Sequence, residues 1–325
     1  MCRTDRQSGH GNTGWGAQLS FFLMAIILAG CQTTATFDPN AKTFDTSHYH
    51  TGVTTVEKTC AKGEFTVWVT VDGDGFCLRY FPSFAANADH VKQAVVFFHG
   101  DLSYTGAEKA YSVLKAEHLA ETSGKWGRAL DLDYIWFSRP GTFGSTGFHP
   151  DRRYRDGREG RIVNAALDAI SKRHGISTLH LAGHSGGANV VAQALEYRRD
   201  VKCAVMAAGA MSMQDAYQKY AFYPDFQAFI GTKYDPYDHI ARLQQDAKRR
   251  LFILYDPADQ IVGAGSSTSY AKAVGRLGHK VILVKGTARG DTHHDMDNTA
   301  RYMAGDCANS MTNDEIARRA KNRQG

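Results

Sequence analysis

Apolar runs of two kinds alternate along this chain. Phe65-Thr-Val-Trp-Val-Thr-Val71 changes between the two sides of a ribbon at every residue, the period of a half-buried strand. Asp72-Gly-Asp-Gly75 follows as a turn, and Phe76 to Phe81 returns, so the pattern predicts an antiparallel hairpin. Beyond it the runs become continuous: Ala94–Phe98, Tyr134–Phe137, Leu179–Ala182, Val201–Met206, Leu251–Tyr255 and Val281–Val284. Short unbroken runs suit strands buried on both faces. Between them lie helical spacings over 107–121, 160–173, 188–196 and 266–277, and the tail from Asn298 is helical and charged. A hairpin followed by strand–helix alternation predicts a mostly parallel sheet covered by helices on both sides.

The N-terminal pattern is different. Arg3 and Arg6 sit in a polar lead, Leu19–Leu28 is apolar, and Ala29-Gly30-Cys31 follows. Spanning a bilayer as an ordinary helix takes about 20 apolar residues, so this stretch suits the core of a secretory signal instead. Leu28-Ala29-Gly30-Cys31 resembles a bacterial lipoprotein lipobox, and Gln32 resembles the position that forwards such proteins to the outer membrane. That resemblance implies a signal over 1–30, acylation (palmitate included) at Cys31, and a mature protein tethered in the cell envelope facing the periplasm. Residues 31–59, rich in Thr, Asp, Asn and His, read as the tether, and 60–325 as the folded domain.

Composition narrows the field only a little. Across 325 residues, 43% are hydrophobic and 22% charged, with a net charge of +5, as in an ordinary globular protein. Arg152, Arg153, Arg155, Arg158 and Arg161 are interleaved with Asp151, Asp156 and Glu159, which predicts a solvated face and no nucleic-acid partner. Of the six cysteines, Cys2 leaves with the signal and Cys31 carries lipid. Cys60, Cys77, Cys203 and Cys307 remain for an oxidising compartment, with three pairings open, and Cys203 also fits a buried thiol.

Chemistry gathers at the carboxyl ends of parallel strands. There the chain offers His99-Gly100-Asp101, then Arg139-Pro140-Gly141, then Gly183-His184-Ser185-Gly186-Gly187 between a strand and a helix. Asp256 and Asp259 follow the next-to-last strand, and His293-His294 the last. The order serine, acid, histidine supplies a nucleophile, an orienting carboxylate and a base. A metal site from His293, His294 and Asp295 is a weaker reading of the same residues, because adjacent histidines seldom close on one ion. No cofactor is called for.

On these motifs, with the D-x-x-V at Asp259–Val262 and Asp235-Pro-Tyr-Asp-His239, residues 60–309 resemble an α/β-hydrolase of esterase and prolyl-oligopeptidase flavour. The resemblance implies an eight-stranded sheet with a short lid at 211–249, whose aromatic residues could line an apolar pocket. It implies Ser185 as nucleophile and Asp259, at the family's D-x-x-V, in preference to Asp256. His294 is preferred to His293 as base because it borders the helical stretch beyond. The oxyanion donors would be the N–H groups of Gly186 and Asp101. A carboxylesterase on small esters is the expected activity, a small-peptide serine peptidase the alternative, and a non-catalytic envelope protein of the same fold the third reading. His99 and His184 are expected to serve packing.

Overall fold

The computed structural model describes residues 37–84, 92–102, 104–149, 156–221, 224, 225, 227, 231 and 233–323. The expected signal, Gln32 and Cys31, the expected lipidation site, lie outside these residues. So do Asp151, Arg152, Arg153 and Arg155, and Phe222, Tyr223, Phe226 and Phe229 of the expected lid.

The hairpin forms as its alternation requires: β1 (Thr66–Val71) pairs antiparallel with β2 (Asp74–Ser83). Six further strands follow: β3 (Gln93–Phe98), β4 (Asp133–Phe137), β5 (Thr178–His184), β6 (Val201–Ala207), β7 (Arg250–Tyr255) and β8 (Val281–Lys285). One eight-stranded sheet results, in the order β1-β2-β4-β3-β5-β6-β7-β8. From β4 to β8 every pairing is parallel.

Strand β3 shows why the central runs are unbroken. Ala94, Val96 and Phe98 enter one core and Val95 and Phe97 the other, so both faces of the strand are apolar. Burying each such Val or Phe is worth about 1.5–3 kcal/mol. The first core is roofed by α5 (Arg158–His174), α6 (Gly186–Ala194) and α8 (Ala264–Arg276), through residues such as Ile162, Val190 and Tyr270. On the second face lie α3 (Tyr104–Val113), α4 (Ala116–Leu130), α9 (Asp297–Ala308) and α10 (Asn313–Asn322). The expected helix over 107–121 is therefore two helices. Lys115 is extended, and the next N–H, of Ala116, is drawn to the Lys42 carbonyl at 2.9 Å.

That contact belongs to a segment expected to be part of a tether. The compact unit begins at Phe37, and 37–59 is folded against it, with α1 (Thr46–Thr51) and α2 (Glu57–Cys60) inside. Phe44 and Tyr49 are buried in the second core, and Val53 exchanges hydrogen bonds with Gly147 at 3.0 and 2.8 Å. Two aromatic anchors in a polar stretch carry no periodicity, which is why composition alone misreads it.

The cysteines pair as Cys60–Cys77 and Cys203–Cys307. Cys203 is thus bonded, not a free buried thiol, and it joins β6 to α9. Among the described residues no helix is long and apolar enough to cross a membrane.

Candidate active site

Strand β5 ends at His184 and α6 begins at Gly186, leaving Ser185 alone at the corner. Its backbone stands at φ 55°, ψ −122°, a conformation unfavourable for any residue with a side chain. The surroundings hold it there: the Ser185 N–H donates to the Ala207 carbonyl at 2.9 Å, and its own carbonyl accepts from Ala188 at 3.0 Å. Such a corner needs small neighbours. A Cβ on Gly187 would come within 2.2 Å of the Phe98 carbonyl oxygen. The turn therefore leaves the Ser185 side chain half-buried, at the carboxyl end of the sheet.

Asp256 and Asp259, and likewise His293 and His294, are sorted by pairing. Asp259 Oδ2 lies 2.8 Å from His294 Nδ1, while its Oδ1 accepts the N–H groups of Ile261 and Val262 at 2.8 and 2.9 Å. Asp256 accepts from Ala258 and Ala288 and lies 3.2 Å from His293 Nδ1. The two adjacent rings thus turn to two different carboxylates instead of converging on one point. Exposure separates the pairs: the His293 side chain is 42% exposed, that of His294 14%. The N–H of Gln260 donates to the Thr292 carbonyl at 2.8 Å and ties the acid loop to the histidine loop.

His184 carries the histidine loop to the nucleophile. Its Nε2–H donates to the His294 carbonyl at 2.8 Å, and the two rings stand 4.9 Å apart. Burial and the nearby His294 hold the His184 imidazole below its usual pKa, which favours the neutral ring this donor bond needs.

Opposite lies the turn after β3. A Cβ on Gly100 would meet Ser185 Cβ at 3.1 Å, so this loop abuts the serine. Gly186 is the first residue of α6, where an N–H has no partner within the helix. The Asp101 carboxylate packs against its Cα. Arg139 fixes that loop: its guanidinium donates to the His99 carbonyl at 3.1 Å and Asp101 Oδ1 at 2.7 Å. The rest of the fork is bidentate on Glu159, at 2.7 and 3.1 Å. Arg139 and Glu159 are buried, and two carboxylates raise the affinity of that guanidinium for its proton. Arg139 in turn keeps the Asp101 carboxyl well below the usual carboxylate range against the opposing effect of burial.

No protein-family model matches the chain, and no curated protein does. Solved structures do. Est1E from Butyrivibrio proteoclasticus, seen with ferulic acid bound, superposes with a TM-score of 0.52 at 14% identity, over 75% of this chain and 98% of that one. The Pyrococcus furiosus esterase Pf2001 gives 0.50 at 13%, over 83% and 95%. For the acylaminoacyl peptidase of Pyrococcus horikoshii the values are 0.51 and 12%, with 75% of this chain on 40% of that one, so the chain spans less than half the peptidase. With the strand order, these settle the architecture. The chain has the α/β-hydrolase fold.

In this α/β-hydrolase sheet the sequence motifs after β3, β4, β5, β7 and β8 all come to one end, as their positions at strand termini require. His99 is packed beneath its loop, its ring stacked on Trp136 at 5.1 Å and its Nε2 3.1 Å from Thr142 Oγ1. Sequence reading missed Glu159, which looked like one charge in a solvated cluster, and missed the tie from His184 to His294. An acid within a basic run gives no sign that it is buried. From the same run Arg158 is also buried, paired with Asp74, while Arg161 pairs with Asp72 and Asp156 at the surface.

The segment expected as a lid contains α7 (Met213–Ala216) and two 3-10 turns, Gln218–Tyr220 and Pro236–Arg242. Met211, Met213 and Tyr234 are buried in it, and Tyr234 donates to Glu196 Oε1 at 2.6 Å. Asn189 of α6 donates to the Ala210 and Tyr234 carbonyls at 2.9 and 3.1 Å, pinning the start and the middle of the segment beside the nucleophile helix. These three side chains serve packing.

Proposed function

We propose that this protein is a serine hydrolase acting through an acyl-enzyme, with small carboxylic esters as substrates. The observation that carries the reading is the Asp259–His294 pair held beside the strained Ser185 by the His184 hydrogen bond. An unassisted hydroxyl is a poor nucleophile at neutral pH, and a base oriented by a buried carboxylate removes that obstacle.

In the proposed cycle Ser185 Oγ attacks the ester carbonyl carbon as its proton passes to His294 Nε2. The carbonyl oxygen takes up the negative charge and accepts from the N–H groups of Gly186 and Asp101, each such donor being worth about 3–4 kcal/mol. Collapse breaks the bond to the alcohol oxygen, which leaves with the proton from His294. Water then gives a proton to His294 as it attacks the acyl carbon, the bond to Ser185 Oγ breaks, Oγ takes that proton from His294, and the acid leaves. Asp259 keeps the Nδ1–H of His294 directed at itself throughout and stabilises the transient imidazolium.

Labelling by a fluorophosphonate probe, compared between wild type and Ser185→Ala and run beside hydrolysis of short and long p-nitrophenyl esters, tests this. We expect labelling and ester turnover that both vanish in Ser185→Ala; turnover surviving the substitution refutes the mechanism. The proposed setting is the cell envelope, with a lipid anchor at Cys31 supported by the Leu28–Cys31 motif. Cys31→Ser should shift the protein from the membrane to the soluble fraction, and unchanged membrane association removes the anchor.

A further inference from the structure

The Asp101 side chain is more than the bearer of a backbone donor. Its carboxylate sits directly over the residue that follows the nucleophile: a Cβ placed on Gly186 would be 2.0 Å from Asp101 Oδ1 and 2.8 Å from Oδ2. It is also 51% exposed, although its partner Arg139 is only 4% exposed. Arg139 is shared with Glu159, so one guanidinium serves two carboxylates. His149, 3.6 Å from Asp101 Oδ1, adds no charge, since burial and Arg139 push its pKa down to about 4. Arg139, Asp101 and Glu159 thus carry one net negative charge among the three of them, and Asp101 is the member that faces solvent. Lys233 acts on it as a positive charge from the exposed surface of the insert, and the Asp101 charge, after burial, helps to raise the pKa of the Tyr49 hydroxyl.

A carboxylate in this place opposes the negative charge that develops on a carbonyl oxygen in the proposed site. A substrate carrying a cation next to its carbonyl reverses the sign of that effect. We propose that Asp101 binds a positively charged group on the acyl side of the substrate, making the enzyme selective for α-aminoacyl esters and amides over neutral acyl groups. An α-ammonium is carried on the carbon adjacent to the carbonyl, so it accompanies the oxyanion to the Asp101 loop whatever alcohol or amine departs. This assignment rests on the serine-hydrolase reading.

The test compares alanine methyl ester with methyl isobutyrate, which replaces the ammonium by a methyl group of similar size. With wild-type protein at pH 6.5, kcat/KM for the amino ester should exceed that for isobutyrate by about tenfold or more, the scale of one charge-assisted hydrogen bond. That preference should disappear as pH rises past about 8, where an α-amino group loses its proton. In Asp101→Asn, which keeps the backbone N–H, the ratio should fall toward one, and in Lys233→Met, which removes the competing cation, it should rise. Equal rates on the two esters, a preference for isobutyrate, a preference that survives deprotonation, or one that survives Asp101→Asn overturns the proposal. Fluorophosphonate labelling of Ser185 in the same samples separates the two readings. Labelling with no amino-ester preference removes only the assignment of Asp101, whereas no labelling and no turnover of either ester removes the hydrolase as well. If Asp101→Asn does not fold, the wild-type pH dependence of the ratio decides.

Discussion

Two neighbouring acids and two neighbouring histidines make a paired experiment possible: Asp259→Asn against Asp256→Asn. Asp259 is 3% exposed at its side chain and His294 14%, and the interacting atoms are 2.8 Å apart. When His294 takes the Ser185 proton, the charges of the ring and the carboxylate lie about 4 Å apart. At an effective dielectric of about 20 they attract by about 4 kcal/mol. Each 1.36 kcal/mol is a factor of ten in rate, so losing that attraction costs about a thousandfold. Asparagine adds a second penalty, because its amide also favours the wrong imidazole tautomer, and the combined loss in kcat is expected near ~10⁴-fold.

The Asp256–His293 pair gives the contrast. His293 is 42% exposed and its ring is 3.2 Å from the carboxylate, the range in which ion pairs contribute at most about 1 kcal/mol. Asp256→Asn should therefore cost less than about tenfold in activity. The assay is steady-state hydrolysis of p-nitrophenyl butyrate, normalised to the fraction of protein that a fluorophosphonate labels. Large and small losses in the stated order support the assignment. Comparable losses, or the reverse order, refute the reasoning from pairing and burial.

Gly186→Ala would bring a Cβ to 2.0 Å from Asp101 Oδ1, so the loop must retreat and take the Asp101 N–H with it; turnover should fall about 10²–10³-fold, and activity within threefold of wild type would remove Asp101 from the oxyanion site. Cys203–Cys307 closes a sequence separation of 104, and its removal by Cys307→Ser should lower unfolding free energy in urea by about 2–5 kcal/mol, an unchanged midpoint counting against the bond. His149 and His180 are buried and each is pushed down to about 4 from 6.5, chiefly by burial and then by Arg139 and Arg250 respectively. The unfolded chain therefore binds these two protons first, so their contribution is complete above pH 6.5 and declines as pH falls toward 4. Together they contribute a slope of up to about 2.7 kcal/mol per pH unit within that window, and His180→Gln should remove about half of that contribution; urea midpoints flat between pH 7 and 5 would contradict it.

Much of the architecture was legible because it depends on periodicity. Each predicted strand is present, displaced by a residue or two, since a strand buried on both faces cannot hide its apolar run. Ser185 could be located for a related reason: only a corner between a strand and a helix explains glycines at 183, 186 and 187 around one serine. The pairing of acids with bases was not legible. Asp256 and Asp259 are three residues apart and His293 and His294 adjacent, so the choice depends on which way a loop turns, and His293, at φ 52°, is the residue where it turns. Nor could sequence show that Phe44 and Tyr49 anchor a segment of otherwise polar composition, or that Glu159 is buried under Arg139.

The segment over 37–59 changes what an N-terminal anchor implies. The Tyr49 hydroxyl donates to the Leu102 carbonyl, in the loop that carries Asp101, while Val53 is bridged to Gly147 in the loop that carries Arg139 and His149. Cys60, where the segment ends, is bonded to Cys77 of β2. A stretch that would have been a flexible spacer is instead a strap across the two loops that position Asp101. Its geometry and that of the proposed oxyanion site are therefore set together, and whatever loosens the strap acts on the site through Leu102 and Gly147 without touching Ser185. Residues 37–59 therefore serve the positioning of the site and do not act as a spacer.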